Sequence, residues 1–106
     1  MASKKKTFSE LITQSEVPIL VDFYADWCGP CQALAPVVSD TARDFKETLK
    51  VVKVDVDKNQ SAAMKYNIQG VPTLILFQRG KIVWRQSGLM TRRDLKTSLQ
   101  KAITND

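Results

Sequence analysis

A strand, a long amphipathic helix and a second strand follow one another in the first half of the chain, and this order restricts the fold most. Residues 17–24, VPILVDFY, form an apolar run typical of a strand that is buried on both faces. Apolar residues then recur at helical spacing over residues 30–49, and residues 50–57, KVVKVDVD, have the pattern of a second strand. Two strands joined in this way lie parallel in one sheet, with a right-handed crossover. The sequence therefore predicts an α/β fold.

Capping residues predict further helices near the two ends of the chain. Thr7 and Glu10 have the spacing of a capping box at the start of residues 7–16, TFSELITQSE. Thr91 and Asp94 repeat this pattern ahead of the last apolar face of the chain. In such a box the first side chain accepts a hydrogen bond from the backbone N–H three residues later. We therefore expect one helix to begin near Thr7 and another near Thr91.

A short helix and a hairpin are predicted between these ends. Asn59 is a typical N-cap for a short helix that ends near Tyr66. The strand-like segments 73–78, TLILFQ, and 81–86, KIVWRQ, are separated only by the Arg-Gly pair 79–80, which is typical of a tight hairpin. The sequence thus predicts four strands and about four helices.

The length of 106 residues suits one domain spanning residues 1–106, because a chain of roughly 100 to 150 residues closes a single core. The longest apolar runs, PILV and VPTLILF, are far shorter than the about 18 residues that a membrane-spanning helix requires. No apolar stretch follows the N-terminal MASKKKTF, so no secretory signal is predicted. We expect no membrane association and a cytoplasmic location.

The net charge of +5 raises the question of nucleic-acid binding. Basic residues are scattered from Lys4 to Lys101 and alternate with acidic ones, whereas a nucleic-acid interface clusters them on one face. We therefore expect no nucleic-acid partner, and a basic surface that influences the choice of protein partners.

Two cysteines, Cys28 and Cys31, lie three residues apart in the segment DWCGPCQ, and the chain has no other. Three interpretations compete: half of a zinc site, an inert disulfide and a redox pair. Structural zinc needs four ligands, and the chain contains no histidine and no further cysteine. An inert disulfide here closes a loop of two intervening residues, so it removes little entropy from the unfolded chain.

The position of the pair favours redox chemistry. Cys28 falls at the predicted start of a helix, where unpaired N–H groups and the positive end of the macrodipole favour a thiolate. Pro30 fits the first helical turn, where the loss of its N–H has no cost. Cys31 follows one turn later, and we expect it to be the more buried partner. Two thiols that exchange with a disulfide need no third ligand.

Longer motifs around these cysteines resemble thioredoxin over nearly the whole chain. They are VDFYADWCGPCQALAP, VKVDVDKN and IQGVPTLILF, followed by a turn at Gly80 and a glycine at position 88. The WCGPC core is more specific for that family than a bare pair of cysteines. The resemblance implies the thioredoxin fold, with a central mixed β-sheet of four to five strands flanked by about four helices.

The resemblance also suggests roles for two charged strand residues. Asp22 interrupts an apolar run, where an unpaired carboxylate is unfavourable, and the residue pattern alone leaves an edge position or a backbone cap open. In thioredoxins the matching aspartate lies beneath the cysteines and assists proton transfer to and from the second cysteine, here Cys31. Lys53 matches a lysine near that aspartate, although a solvent-facing strand residue is the alternative.

A shallow, mostly apolar groove for extended segments of target proteins is implied as well. IQGVPT matches the cis-proline loop of the family, so we expect a cis bond between Val71 and Pro72. The residues expected to form the groove beside the cysteines are Trp27, Gly29, Pro30, Val71, Pro72, Gly88 and Leu89. Trp84 matches no family motif and is interpreted as hairpin packing.

The chain departs from the family pattern in three places. Tyr24 stands where many thioredoxins have tryptophan, and Gln32 follows the second cysteine where lysine or arginine is common. Both changes leave the thiol chemistry intact and bear on redox potential and partner preference. Only MASKKK precedes the first helix, so we expect four strands, with any fifth being short and at the edge.

The resemblance implies a general protein disulfide reductant. Cys28 attacks the disulfide of a target protein, Cys31 resolves the mixed disulfide, and a thioredoxin reductase supplies the electrons. We expect a monomer that holds no cofactor and no metal. Two alternatives remain, a disulfide oxidase or isomerase on the same fold and a redox-regulated binding subunit. The first is disfavoured because oxidising relatives usually carry histidine between the cysteines.

Overall fold

Four strands and four helices make up the part of the chain that the computed structural model describes, residues 6–104. In chain order they are α1 (Phe8–Gln14), β1 (Ile19–Tyr24), α2 (Gly29–Asp44), β2 (Lys50–Asp55), α3 (Gln60–Lys65), β3 (Thr73–Gln78), β4 (Lys81–Ser87) and α4 (Arg92–Thr104). The strands form one mixed sheet with two helices on each face. This architecture confirms the α/β fold that the sequence and the resemblance predict.

The sheet has the strand order β2-β1-β3-β4. β1 pairs in parallel with β2, and α2 connects them, as the strand–helix–strand pattern predicts. β3 pairs antiparallel with both β1 and β4, which places the β3–β4 hairpin at one side of the sheet. Among residues 6–104, β2 and β4 are therefore the edge strands.

Both faces of the two central strands are covered. Successive side chains of a strand point to opposite faces. Leu20 and Leu74 accordingly pack against α2 and α4, whereas Val21 and Ile75 pack against α1 and α3. The side chain of Trp84 packs against the first of these clusters, in agreement with its interpretation as hairpin packing.

The helix α2 ends five residues earlier than its apolar spacing predicts. It closes at Asp44, and a turn follows in which the N–H groups of Thr48 and Leu49 donate to the Phe45 carbonyl at 2.7 and 3.1 Å. Lys50 then begins β2 and donates to the carbonyl of Pro18 at 3.0 Å. The turn keeps the apolar residues of this segment buried in the core while it reverses the chain toward the start of β1.

The connection between β3 and β4 is a two-residue turn. Arg79 and Gly80 have φ angles of 52° and 84°, both in the left-handed region that short hairpins require. A Cβ atom on Gly80 would lie 3.1 Å from the Thr13 Oγ1 atom of α1. Glycine at this turn therefore permits both the backbone conformation and the close approach of α1.

Helix capping matches the sequence at two of three positions. The Thr7 side chain accepts from the Glu10 N–H at 3.0 Å, and the Glu10 carboxylate accepts from the Thr7 N–H at 2.9 Å. Thr91 accepts one hydrogen bond at 3.0 Å at the start of α4. Asn59 lies at the N-cap of α3, but its amide donates to the Asp55 carbonyl at 2.9 Å instead of capping the helix.

The short fifth strand that the sequence analysis allows for would precede α1, and it falls outside the described residues. Among residues 6–104, no helix combines the length and the apolar character needed to cross a lipid bilayer.

Candidate active site

Most of the predicted site residues lie in loops along one edge of the sheet, the edge that runs across the ends of β1, β2 and β4 and the start of β3. Tyr24 at the end of β1 pairs with Asp55 at the end of β2, and Phe23 pairs with Thr73 at the start of β3. Ser87, at the end of β4, also pairs with Thr73. The loops that follow β1, β2 and β4 and the loop that precedes β3 therefore meet at this edge.

The cysteine pair lies at this edge, at the start of α2. Cys28 and Cys31 form a disulfide, with their Cα atoms 5.2 Å apart. Cys28 is the N-cap of α2, and its Sγ atom accepts a hydrogen bond from the Cys31 N–H at 3.1 Å. The N–H group and the positive end of the helix both favour negative charge on this sulfur. Gly29 and Pro30, between the cysteines, are exposed and begin the helix.

The two cysteines are almost equally buried. Cys28 is 3% exposed and Cys31 is 5% exposed, so the expectation that Cys31 is the more buried residue is wrong. Cys28 is covered because the Val71 carbonyl oxygen lies 3.7 Å from its Sγ atom. Ala25 packs with both cysteines in a small apolar cluster.

The loop before β3 faces the disulfide. Its Val71–Pro72 bond is cis, as the resemblance implies. The Thr73 hydroxyl donates to the Gly70 carbonyl at 2.6 Å, and the Gly88 N–H donates to the Pro72 carbonyl at 2.9 Å. These two bonds fix the loop to β3 and to the end of β4. They bring Val71, Pro72 and Gly88 to the same edge as the cysteines.

Two large apolar side chains in the loops at this edge are exposed. Trp27 is 72% exposed and Leu89 is 58% exposed. The Trp27 indole N–H donates to the Asp57 carboxylate at 2.8 Å, which fixes the ring over the loop after β2. Sequence reasoning did not single out Asp57, and its position at the end of a predicted strand was the available signal.

A small cavity of about 150 Å³ opens beside the Trp27 ring. It lies between Trp27 and the loop that carries Val71, and its walls are mostly apolar. The lining residues are Trp27, Val56, Ile68, Gln69, Gly70 and Val71. The cavity therefore extends the apolar surface from the disulfide toward α3.

Asp22 is buried in β1, with 1% of its surface exposed. Neither of its carboxylate oxygens has a hydrogen-bond partner among the described residues. Asp22 lies two residues after Leu20 and so faces the side of the sheet that α2 covers. Burial raises the pKa of Asp22 from 3.8 to about 6, and the Lys53 ammonium opposes this shift.

Lys53 pairs directly with Asp22 across the parallel strands β1 and β2, so both side chains lie on the same face. Lys53 is exposed, and its Nζ atom lies 4.7 Å from the centre of the Tyr24 ring. Lys53, Tyr24 and Cys31 line a cavity of about 160 Å³, together with Ala25, Asp26, Gln32 and Ala35. The lysine is thus close to both the aspartate and the second cysteine.

A disulfide at a helix N-terminus, facing a cis-proline loop, defines the class of thiol–disulfide oxidoreductases with this fold. A family model described as Thioredoxin matches residues 1–101. The chain therefore belongs to the thioredoxin family.

Individual relatives agree with the family match. The chain is 44% identical over 98 residues to Thioredoxin 1 of Chlorobaculum tepidum, covering 92% of this chain and 97% of that protein. It is 38% identical over 97 residues to Thioredoxin of Pseudomonas aeruginosa, covering 92% and 90%. It is 40% identical over 105 residues to Thioredoxin Y2, chloroplastic, of Arabidopsis thaliana, covering 96% of this chain and 63% of that protein.

The family and the cysteine pair together establish the activity. The protein is a thiol–disulfide oxidoreductase that reduces disulfides in target proteins. Within residues 6–104, no group of three or more histidine, cysteine or acidic side chains is arranged to hold a metal ion.

Proposed function

We propose that Cys28 is the nucleophile of this disulfide reductant and that Cys31 is the resolving thiol. The observation that carries the assignment is the hydrogen bond from the Cys31 N–H to the Cys28 Sγ atom at the positive end of α2. In the reduced protein the same environment supports a thiolate on Cys28 rather than on Cys31. Because the thiolate is the reactive form, Cys28 attacks first.

The reaction transfers two electrons from the cysteine pair to the target. The Cys28 thiolate attacks one sulfur of the target disulfide, and the other target sulfur leaves as a thiolate. The Cys31 thiol then loses its proton and attacks the Cys28 Sγ atom, which releases the second target thiolate. The target is reduced, and this chain is left with its disulfide. A thioredoxin reductase, the proposed partner, returns the two electrons, so the cycle requires no bound cofactor or metal.

Asp22 is proposed to accept the proton of Cys31 during the second attack. A carboxyl group with a pKa of about 6 is ionised at neutral pH yet more basic than an ordinary aspartate, which suits a general base. Asp22 faces α2, the helix that carries Cys31. Lys53 is proposed to assist by favouring the ionised form of Asp22, because its ammonium lowers the pKa of that carboxyl.

The exposed surface around the disulfide is proposed to bind an extended segment of the target protein. The backbone of Val71 offers hydrogen-bonding groups to that segment, in the manner of an added strand. Apolar contacts come from the side chains and backbone of Trp27, Gly29, Pro30, Pro72, Gly88 and Leu89. The exposure of Trp27 and Leu89 supports this role, because both side chains are accessible to a bound segment.

We further propose that residues 1–106 form a single domain that acts as a monomer in the cytoplasm. A dithiol that donates electrons suits a compartment in which thiols are kept reduced. A relative is named as chloroplastic, and a plastid is the corresponding alternative location.

A trapping experiment tests the order of attack. Cys31→Ser should form covalent adducts with target proteins through Cys28, because no thiol remains to resolve the mixed disulfide. Non-reducing gels of a mixture with a disulfide-containing protein such as insulin should show abundant adducts. Adding dithiothreitol should reduce the mixed disulfides and remove these adducts from the gel.

The matched control is Cys28→Ser, which retains the other cysteine and should give few adducts. Equal trapping by the two variants would contradict the assignment of Cys28 as nucleophile. Trapping by Cys28→Ser alone would reverse it.

A further inference from the structure

Arg85, an exposed residue of the edge strand β4, makes contacts that the thiol chemistry does not explain. It pairs with Ile75 of β3 and therefore lies on the face of the sheet that α1 and α3 cover. Its guanidinium donates to two backbone carbonyls, that of Tyr66 at 2.5 Å and that of Asn67 at 2.6 Å. Arg85 thus connects β4 to the end of α3.

The two carbonyls belong to a regular helix termination. Asn67 has a φ angle of 54°, and its N–H donates to the Met64 carbonyl at 3.1 Å. The Ile68 N–H donates to the Ala63 carbonyl at 2.8 Å, which completes the pattern of a Schellman motif. The carbonyls that remain free at such an end carry the negative charge of the helix dipole, so a cation is favoured there.

Beyond this end the chain enters the segment 68–72, which we call the recognition loop. Its last residues hold the Val71 carbonyl 3.7 Å from Cys28 Sγ. Bonds from Thr73 and Gly88 fix the far end of the loop, as described above. Arg85 fixes the near end, and it stands three residues before Gly88 on the same strand.

The near end has a second anchor in the core. The Tyr66 ring packs edge-on against Phe77 and Phe8, with ring centres 5.0 and 5.7 Å apart. The contacts with Phe8 and Phe77 hold the Tyr66 side chain in place. The bonds from Arg85 instead hold the backbone carbonyls of Tyr66 and Asn67. The two carbonyls come directly before the recognition loop in the chain.

We propose that Arg85 is a positioning residue that holds the recognition loop in the conformation that binds target proteins. The proposal rests on the proposed function, in which the Val71 backbone pairs with the target. A loop held at both ends loses less conformational freedom when the target binds, so the affinity is higher. Arginine suits the position because its planar fork reaches two acceptors at once, whereas lysine presents a single ammonium.

The test compares a protein disulfide with a small one. Each reduced variant is mixed with insulin, or with hydroxyethyl disulfide, and the two second-order rate constants are measured by stopped flow. Hydroxyethyl disulfide is too small to use the backbone of the loop. We expect Arg85→Gln to lower the ratio of the insulin to the small-disulfide rate constant by about fivefold, the size of a moderate remote coupling.

Two further variants complete the design. Arg85→Lys should lower the ratio less than Arg85→Gln does, because lysine keeps the positive charge but lacks the planar fork of arginine. Lys81→Gln removes the same charge from the same strand, where Lys81 is also exposed, and should keep the parent ratio. In hydrogen exchange, the amides of residues 68–71 should exchange faster in Arg85→Gln than in Lys81→Gln.

Three results would overturn the proposal. The first is an unchanged ratio in Arg85→Gln, and the second is an equal loss in Lys81→Gln. The third is a parallel fall of both rate constants together with the melting temperature, which would make Arg85 a contributor to stability only. Failure of the parent protein to reduce insulin would instead refute the proposed function, a result distinct from an altered ratio.

Discussion

At the scale of the residue, Asp22 combines features that rarely occur together. It is a carboxylic acid in a central strand, it is 1% exposed, and its oxygens lack hydrogen-bond partners among the described residues. A buried group in this state is unfavourable for folding, so its presence indicates a role other than stability. The sequence marks the residue as anomalous because it interrupts an apolar run.

The first prediction at this scale concerns the rate of resolution. Asp22→Asn keeps the shape of the side chain but cannot accept a proton. The variant should form mixed disulfides at the parent rate and resolve them about 10- to 100-fold more slowly near pH 7. The deficit should shrink at alkaline pH, where Cys31 ionises without assistance. Stopped-flow measurement of resolution across pH 5 to 9 checks this.

The control for that measurement is Asp26→Asn, which removes an exposed carboxyl close to the cysteines. In the parent protein, resolution should slow as the pH falls through about 6, because Asp22 becomes protonated there. A rate loss of equal size at every pH would indicate that Asp22 is structural and not a base.

Other residues of the site could not be found from the sequence. Arg85 is one of sixteen basic residues, and its spacing from Tyr66 carries no signal. The contact of Lys53 with the Tyr24 ring likewise depends on side-chain conformations that the sequence does not encode locally. Cys28 and Cys31 were predictable from their spacing and position, and the cis bond before Pro72 from the family resemblance.

At the scale of the element, local patterns located every helix and strand of the described chain, but several boundaries differ by one or two residues and the end of α2 differs by five. Apolar spacing extends α2 to residue 49, whereas the helix ends at Asp44. The chain must turn there so that Lys50 can pair beside Ile19 at the start of β1. That register is a long-range constraint, and the turn buries Leu49 just as a helix would. The apolar pattern therefore cannot distinguish the two.

A prediction at this scale concerns α4, which carries no proposed catalytic residue. Leu99 of α4 has none of its surface exposed and packs against α2 and the sheet. Leu99→Ala should lower the free energy of unfolding by about 2 to 5 kcal/mol, because it removes buried surface and leaves a cavity. Denaturant unfolding of the oxidised protein measures this loss.

The matched control is the same substitution at an exposed leucine. Leu89→Ala, at a site that is 58% exposed, should change the free energy of unfolding by no more than about 0.5 kcal/mol. A similar loss in both variants would contradict the assignment of α4 to the core.

At the scale of the whole molecule, the site exists only because distant segments meet at one sheet edge. Cys28 follows β1, Asp57 follows β2, Pro72 precedes β3 and Gly88 follows β4. The strand order and directions bring these four loops together. The sequence predicts each strand and the parallel pair, whereas the placement of β3 next to β1 is seen only in the structure. Local periodicity does not specify which strands pair.

The buried carboxyl of Asp22 also affects the free energy of unfolding of the whole molecule. The pKa of Asp22 is about 6 in the folded protein, against an ordinary value of 3.8. Between these values the folded state binds more protons than the unfolded state, so the free energy of unfolding falls as the pH rises. The free-energy cost of burying the ionised Asp22 carboxylate is absent below pH 3.8 and reaches its full value of about 3 kcal/mol above pH 6.

Asp22→Asn should therefore be more stable than the parent at neutral pH and lose that advantage in acid. The difference in the free energy of unfolding, variant minus parent, should grow by about 2 kcal/mol between pH 4 and pH 7, mostly below pH 6. Guanidinium unfolding of the oxidised proteins at intervals of one pH unit measures it, with Glu47→Gln as an exposed-carboxyl control. Lys53→Met should move the transition to higher pH, because the ammonium that lowers the pKa of Asp22 is gone. A difference that stays constant from pH 4 to pH 7, or a transition that moves to lower pH in Lys53→Met, would contradict the assignment of this titration to a buried Asp22 beside Lys53.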